Sequence, residues 1–258
     1  MSKAVTFELV EHHIALVTLN RPEARNAVNG DVAAQLEAIV ERTNEDPAIR
    51  ACILTGAGDQ AFCAGADLKA VKAGLVATLR TEKGNFAGFV TAPRHKPWIA
   101  AVNGFALGGG CEMVLACDMA VADPGARLGL PEVKRGLMAL AGGLVRLPRA
   151  IPRAIAFEVI ATGEPLSAQR AREAGLVNTL SAPGQVVETA LDLARKVIAN
   201  SPIAVQESLR IARNQGELSE PELLAAGMKA RAELEKTHDY AEGLRAFAEK
   251  RLPDWQGR

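Results

Sequence analysis

The 258 residues carry 30 Lys plus Arg against 30 Asp plus Glu, a formal charge of zero that offers no general attraction to nucleic acid or an anionic membrane. Hydrophobic residues make up 48% of the chain, with no run near the roughly 18 apolar residues of a membrane span, so a soluble protein with a large core is expected. The opening "MSKAVTFELVEHH" has no apolar export segment, and Cys52, Cys63, Cys111 and Cys117 show no C-x-x-C spacing; a cytoplasmic protein with reduced thiols, no disulfides and no metal site is expected.

In chain order, "VTFELVEHHIALVTL" reads as two extended segments around the polar break Glu11 to His13, with His12 and His13 as turn residues. In "NGDVAAQLEAIVERTNED", Val32, Leu36, Ile39 and Val40 recur at helical spacing, and Pro47 precedes the apolar strand "ACILT", Ala51 to Thr55. A glycine-containing turn, "QAFCAGADLKA", follows and opens into another helix, with Asp67 placed to cap it. The stretch from Val71 to Val90 gives no clear signal. Next come a strand in "PWIAAVNG", the triple glycine Gly108 to Gly110, a buried helix in "GCEMVLACD" and a short strand in "MAVAD". Apolar strands alternating with helices indicate an α/β fold with both sheet faces covered. From about Gly184 the pattern is entirely helical: Ser201 and Pro202 open one helix, Ser219 to Glu222 form a capping box, and Leu244, Phe247 and Leu252 offer an apolar face.

The glycines at 104 and 108–110 do not fit the dinucleotide fingerprint, and no Gly-Lys-Ser/Thr follows for a nucleotide P-loop. A strand, a glycine turn and a helix start leave N–H groups unpaired at the positive end of a helix dipole, suited to an oxygen that turns negative during reaction. Glu112 lies in the first turn of that helix, beside apolar residues where an unpaired carboxylate is costly. Glu132 follows Pro131 in "RLGLPEVKRGL". Two carboxylates and two N–H-rich turns therefore converge in type.

On these motifs the sequence resembles the crotonase, or enoyl-CoA hydratase, superfamily along nearly its whole length. "NRPEARNA" resembles the first CoA-contacting loop, "FCAGADLK" the loop receiving adenine and one side of the thioester, "AAVNGFALGGGCEMVLACD" the second half of the site, and "LGLPEV" the segment of the second catalytic Glu. The resemblance implies a spiral of repeated β-β-α units over residues 1–195 and a helical trimerisation region over 196–258, assembled as a trimer or a dimer of trimers. It implies an oxyanion hole from the N–H groups of Ala66 and Gly109. Glu112 is implied to activate a water and Glu132 to deliver a proton at C2 in reversible hydration of a 2-enoyl-CoA thioester, in fatty-acid or related acyl-CoA degradation. Binding falls on Ala64, Asp67, Leu68 and Lys69 for adenine and pantetheine, with Arg25 and Lys69 available to phosphates. CoA is then part of the substrate, and no separate cofactor is implied.

"GLMALAGGLVRLPR" departs from the family's usual stretch after the second Glu, keeping Gly142 and Gly143. Alternatives within the family are an enoyl-CoA isomerase or a carnitinyl-CoA dehydratase-like lyase; the pairing of both acids favours hydration. An RNA-binding role, known for one relative through a lysine-rich helix, is disfavoured because Asn29 to Asp46 has no Lys. A bulkier residue at Gly109 is expected to obstruct the docking thioester.

Overall fold

The computed structural model describes residues 3–258. Its strands are β1 (Val5–Glu11), β2 (Ile14–Leu19), β3 (Ala51–Gly56), β4 (Ala61–Cys63), β5 (Arg80–Thr81), β6 (Asn85–Phe86), β7 (Trp98–Val102), β8 (Phe105–Leu107), β9 (Met119–Ala122), β10 (Arg127–Gly129), β11 (Leu166–Ser167) and β12 (Thr179–Leu180). Six form one sheet in the order β1-β2-β3-β7-β9-β12, and four form a second in the order β11-β10-β8-β4. Each consecutive pair β3/β4, β7/β8 and β9/β10 gives its first strand to the large sheet and its second to the small one. That is the β-β-α spiral, and each turn of it delivers a loop to the same edge.

The large sheet is covered on both faces. Every residue of β3 and β7 is buried, and the alternation of side chains sends Cys52, Leu54, Trp98 and Ala100 to one core and Ala51, Ile53, Ile99 and Ala101 to the other. Helix α1 (Gly30–Glu45) starts where the Asn29 side chain accepts from the Val32 N–H, and it buries Val32, Leu36 and Val40 in the first core. The second core is closed by Val186, Ala190, Leu191 and Ala194 of the helix Val186–Ile198. A boundary at 195/196 falls inside this helix, so its last turn and its sheet-covering face belong to one element.

The strands β4 and β8 are three residues each, inside stretches that read as glycine turns in the sequence. They are too short for a period of two to register against the neighbouring glycines. His13 does occupy the turn between β1 and β2, with a φ of 70°. Among the described residues the four cysteines are unpaired, and no helix is long and apolar enough to cross a membrane.

The C-terminal helices are tied to the sheets by charge. Arg213, at the end of the helix Pro202–Arg213, donates from Nε to Asp118 Oδ1 at 2.7 Å and from Nη2 to Asp118 Oδ2 at 2.7 Å, and also to the carbonyls of Arg94 and Lys96. Asp118 additionally accepts from the Trp98 N–H. The Asp118 side chain is only 9% exposed, so removing its partner leaves a nearly buried charge uncompensated. Arg213→Ala is therefore expected to lower the unfolding free energy by about 3 kcal/mol, read from the urea midpoint; an unchanged midpoint would show that the clamp contributes nothing.

Candidate active site

The site begins with two backbone turns packed against each other. Val28 pairs with Ala66 as a parallel bridge, in which the Val28 N–H donates to Gly65 O and the Asp67 N–H donates to Val28 O. Those bonds use the residues flanking Ala66, so the N–H of Ala66 itself points away from Val28. Gly109 is the first residue of α3 (Gly109–Ala116), whose initial N–H groups lack an intrahelical acceptor. The two turns touch through Gly65: a Cβ built there would lie 3.0 Å from Leu107 O and 3.3 Å from Gly109 N.

Each member of the triple glycine has its own reason. Gly108 has a φ of 56°, and a Cβ on it would lie 2.8 Å from Glu132 Oε1. On Gly110 a Cβ would lie 2.0 Å from Cys63 O, so only glycine lets α3 start directly against β4. Gly109 differs from the expectation drawn for it. Its φ is not in the left-handed region, and a Cβ there would enter the Phe86 ring, 2.3 Å from Cε1, rather than the space before the N–H. The residue of the three whose side chain would intrude on the Glu132 carboxylate is Gly108.

Glu112 and Glu132 meet around this turn. The Glu112 N–H donates to Gly108 O, and its buried carboxylate accepts from the Gly143 N–H at 2.8 Å. Gly143 opens the helix α4 (Gly143–Ala150), so a second helix N-terminus faces this carboxylate. A Cβ on Gly143 would lie 3.0 Å from Glu112 Oε1, and Gly142 has a φ of 109°, which account in turn for the two glycines retained in the otherwise divergent "GLMALAGG". Glu132 stands in a short 3-10 turn, Pro131–Arg135, closed by Gly136 in the left-handed region. Its Oε2 is buried with no hydrogen-bond partner among the described residues.

Burial pushes the Glu112 carboxyl above its ordinary value; the Gly143 N–H opposes this and the neighbouring Glu132 reinforces it. Burial likewise raises Glu132, against its own backbone N–H and the Arg135 charge.

A cleft of about 750 Å³ adjoins the segments that carry this pair. Arg25, Ala64, Ala66, Asp67, Leu68 and Lys69 line it, as do Leu107 and Pro131, the chain neighbours of Gly108 and Glu132. Glu112, Glu132 and Gly109 are not in its wall. Arg21, Lys134 and Arg135 also border the cleft and were not singled out from the sequence. Of the cations, Arg21 is paired with Asp67 at 2.9 Å and Lys134 with Glu164, while Arg25, Lys69 and Arg135 have no ion-pair partner among the described residues. Asp67 caps the helix Leu68–Lys72 by accepting from the Lys69 N–H at 2.9 Å. Burial would raise its carboxyl, but Arg21 and the Lys69 N–H outweigh that and hold it below the ordinary range. Asn26, nearly fully buried in "NRPEARNA", donates to Ala57 O and Ala61 O and fixes the loop that carries Arg25. No group of three or more His, Cys, Asp or Glu side chains is placed to hold a metal among the described residues.

Residues 10–258 match the enoyl-CoA hydratase/isomerase family, and the chain belongs to that family. The crystal structure of enoyl-CoA hydratase from Mycobacterium tuberculosis is 44% identical, with a TM-score of 0.95 and 100% of both chains covered. A carnitinyl-CoA dehydratase from Mycobacterium avium is 46% identical over 100% of both chains, with a TM-score of 0.77. The 2,3-dehydroadipyl-CoA hydratase of Escherichia coli is 40% identical over 96% of this chain and 97% of its own.

The raised carboxyls make stability depend on pH with a definite sign. Folded Glu112 and Glu132 keep their protons at pH values where the unfolded chain has released them. Their contribution is therefore complete below the ordinary carboxylate range and is lost as pH rises through the raised values. Glu112→Gln removes one of the two titrations, so its urea midpoint is expected to fall less than that of the wild type as pH rises from the ordinary carboxylate range through the raised values. Identical pH profiles would contradict the burial-driven shift.

Proposed function

We propose that the chain is an enoyl-CoA hydratase, adding water reversibly across the C2=C3 bond of a 2-enoyl-CoA thioester. The observation that carries the reading is the convergence of two N–H-bearing turns and two carboxyls raised by burial beside one cleft, whose wall includes Ala66, Leu107 and Pro131. In this reading the thioester oxygen lies between the N–H groups of Ala66 and Gly109. Glu112 takes a proton from a water whose oxygen bonds to C3, the C2=C3 electrons move towards the thioester oxygen, and Glu132 gives a proton to C2. Dehydration runs the same path backwards with the roles exchanged. Fixed backbone dipoles meet the charge as it develops, and one such donor is worth about 100- to 1000-fold in rate.

CoA would lie along the cleft, its adenine and pantetheine on the loop from Ala64 to Lys69 and its phosphates near Arg25 and Lys69. Asp67, held by Arg21 and its own helix, orders that loop rather than touching the reacting atoms. CoA enters as part of the substrate, and the reading needs no other cofactor. The dehydration direction is favoured as a second reading by the 46% identity to the carnitinyl-CoA dehydratase from Mycobacterium avium. An isomerase would leave one acid idle.

Assembly as a trimer or dimer of trimers is supported by the apolar side chains of the last two helices and the segment after them, where Leu224, Met228, Leu244, Phe247 and Leu252 are 60–89% exposed. We place the protein in the cytoplasm, a reading supported by thiols buried among apolar side chains.

The test is a series of 2-enoyl-CoA thioesters of increasing length, followed by loss of the conjugated absorbance. Glu112→Gln and Glu132→Gln are each expected to lower kcat by about 100-fold or more while remaining folded, and hydration at the wild-type rate by either would refute the assigned roles. Sedimentation should give three or six copies; a stable, active monomer would refute the assembly.

A further inference from the structure

The stretch after the helix Leu68–Lys72 supplies a side chain that reaches the proposed oxyanion donor. β5 and β6 form a short hairpin with Arg80 opposite Phe86 and Thr81 opposite Asn85, extended by the Ala87 N–H donating to Leu79 O at 2.9 Å. Asn85 (φ 53°) and Ala87 (φ 60°) both adopt the left-handed conformation, which is unfavourable for a residue with a Cβ, and Ala87 is fully buried. The hairpin is held on α1 by close backbone contact: a Cβ on Gly88 would lie 2.2 Å from Ala33 O, and one on Gly84 would lie 2.1 Å from Gly88 C. Between the two left-handed residues, Phe86 directs its ring at the α-carbon of Gly109, filling the space where any other residue would carry its Cβ.

Backbone strain persists only where the surroundings enforce it, and here its product is the placement of one ring. The same segment reaches the other half of the site. Val90 O accepts from Arg146 Nη2 at 2.6 Å, and Arg146 belongs to α4, the helix whose first N–H holds Glu112. Gly109 has no side chain of its own to fix it and stands at a helix end, where backbone freedom is greatest. A donor displaced by about 1 Å can cost about 100-fold in rate, so something must hold this N–H.

We propose that Phe86 is a positioning residue for the thioester: its ring, held by the left-handed backbone at Asn85 and Ala87, fixes the Gly109 N–H that polarises the carbonyl. The proposal rests on the assignment of that N–H as an oxyanion donor. A ring that only filled the core would affect stability and nothing else.

The experiment compares wild type, Phe86→Leu and Phe86→Ala in three readouts per folded molecule: kcat for crotonyl-CoA hydration, Kd for free CoA, and the absorption maximum of bound 4-(dimethylamino)cinnamoyl-CoA. That chromophore moves to longer wavelength when its carbonyl is polarised. Phe86→Ala is expected to lose about tenfold to 100-fold in kcat and most of the wavelength shift, with the Kd for CoA unchanged; Phe86→Leu should fall between. Phe86→Leu also keeps the test open if the alanine variant does not fold. A wild-type shift retained in full by a folded variant with normal kcat would overturn the proposal while leaving the oxyanion assignment standing. No shift in the wild type would overturn both.

Discussion

Everything at the site depends on how closely two stretches of backbone approach each other. The turn after β4 and the turn before α3 are in contact through Gly65, and α3 starts against β4 at a distance that leaves no room for a Cβ on Gly110. Backbone N–H groups can stand side by side only where side chains do not separate them. The spiral makes this possible, because successive turns bring equivalent strand-to-helix junctions to one edge. In the proposed reading the two N–H groups are then held by packed backbone and need little reorganisation when charge appears in front of them.

The second constraint is the burial of two carboxyls with incomplete compensation. A buried carboxylate is costly unless hydrogen-bonded or neutralised, and the two acids differ in how they are treated. Glu112 receives the Gly143 N–H at the start of α4, whereas Glu132 Oε2 has no protein donor among the described residues. Both groups are pushed towards protonation. One acid anchored and one left with an open oxygen is an arrangement suited to dividing proton removal and proton delivery between them. Arg146, which bonds to Val90 O while α4 holds Glu112, joins the acid side of the site to the Phe86 segment.

Much of this was legible in the sequence, for reasons that can be given residue by residue. β3 and β7 are continuous apolar runs, and α1 carries its core residues at regular spacing, so both signals are local. The glycine turns announced themselves because few other residues tolerate such backbone. Their separate roles did not, since Gly108 faces Glu132, Gly109 faces Phe86 and Gly110 faces Cys63, all through contacts between distant parts of the chain. β4 and β8 are too short for any period to show. Arg21 and Asn26 lie in a motif already noticed, but their partners Asp67, Ala57 and Ala61 lie 31 or more positions away. Phe86 was illegible for the same reason: Asn85 is a residue type that tolerates left-handed φ, but the same conformation at Ala87 is set by packing, and an alanine does not announce it.

The central claim is that the N–H groups of Ala66 and Gly109 together polarise a thioester carbonyl. The most direct measurement is the infrared carbonyl stretch of butyryl-CoA labelled with carbon-13 at C1, bound to the wild-type protein. This ligand has no C2=C3 bond and is not turned over, so the frequency reports on the donors alone. Two fixed hydrogen bonds in a site shielded from water are expected to lower the stretch relative to the same thioester in water. A frequency equal to or above that of the dissolved thioester would contradict the account.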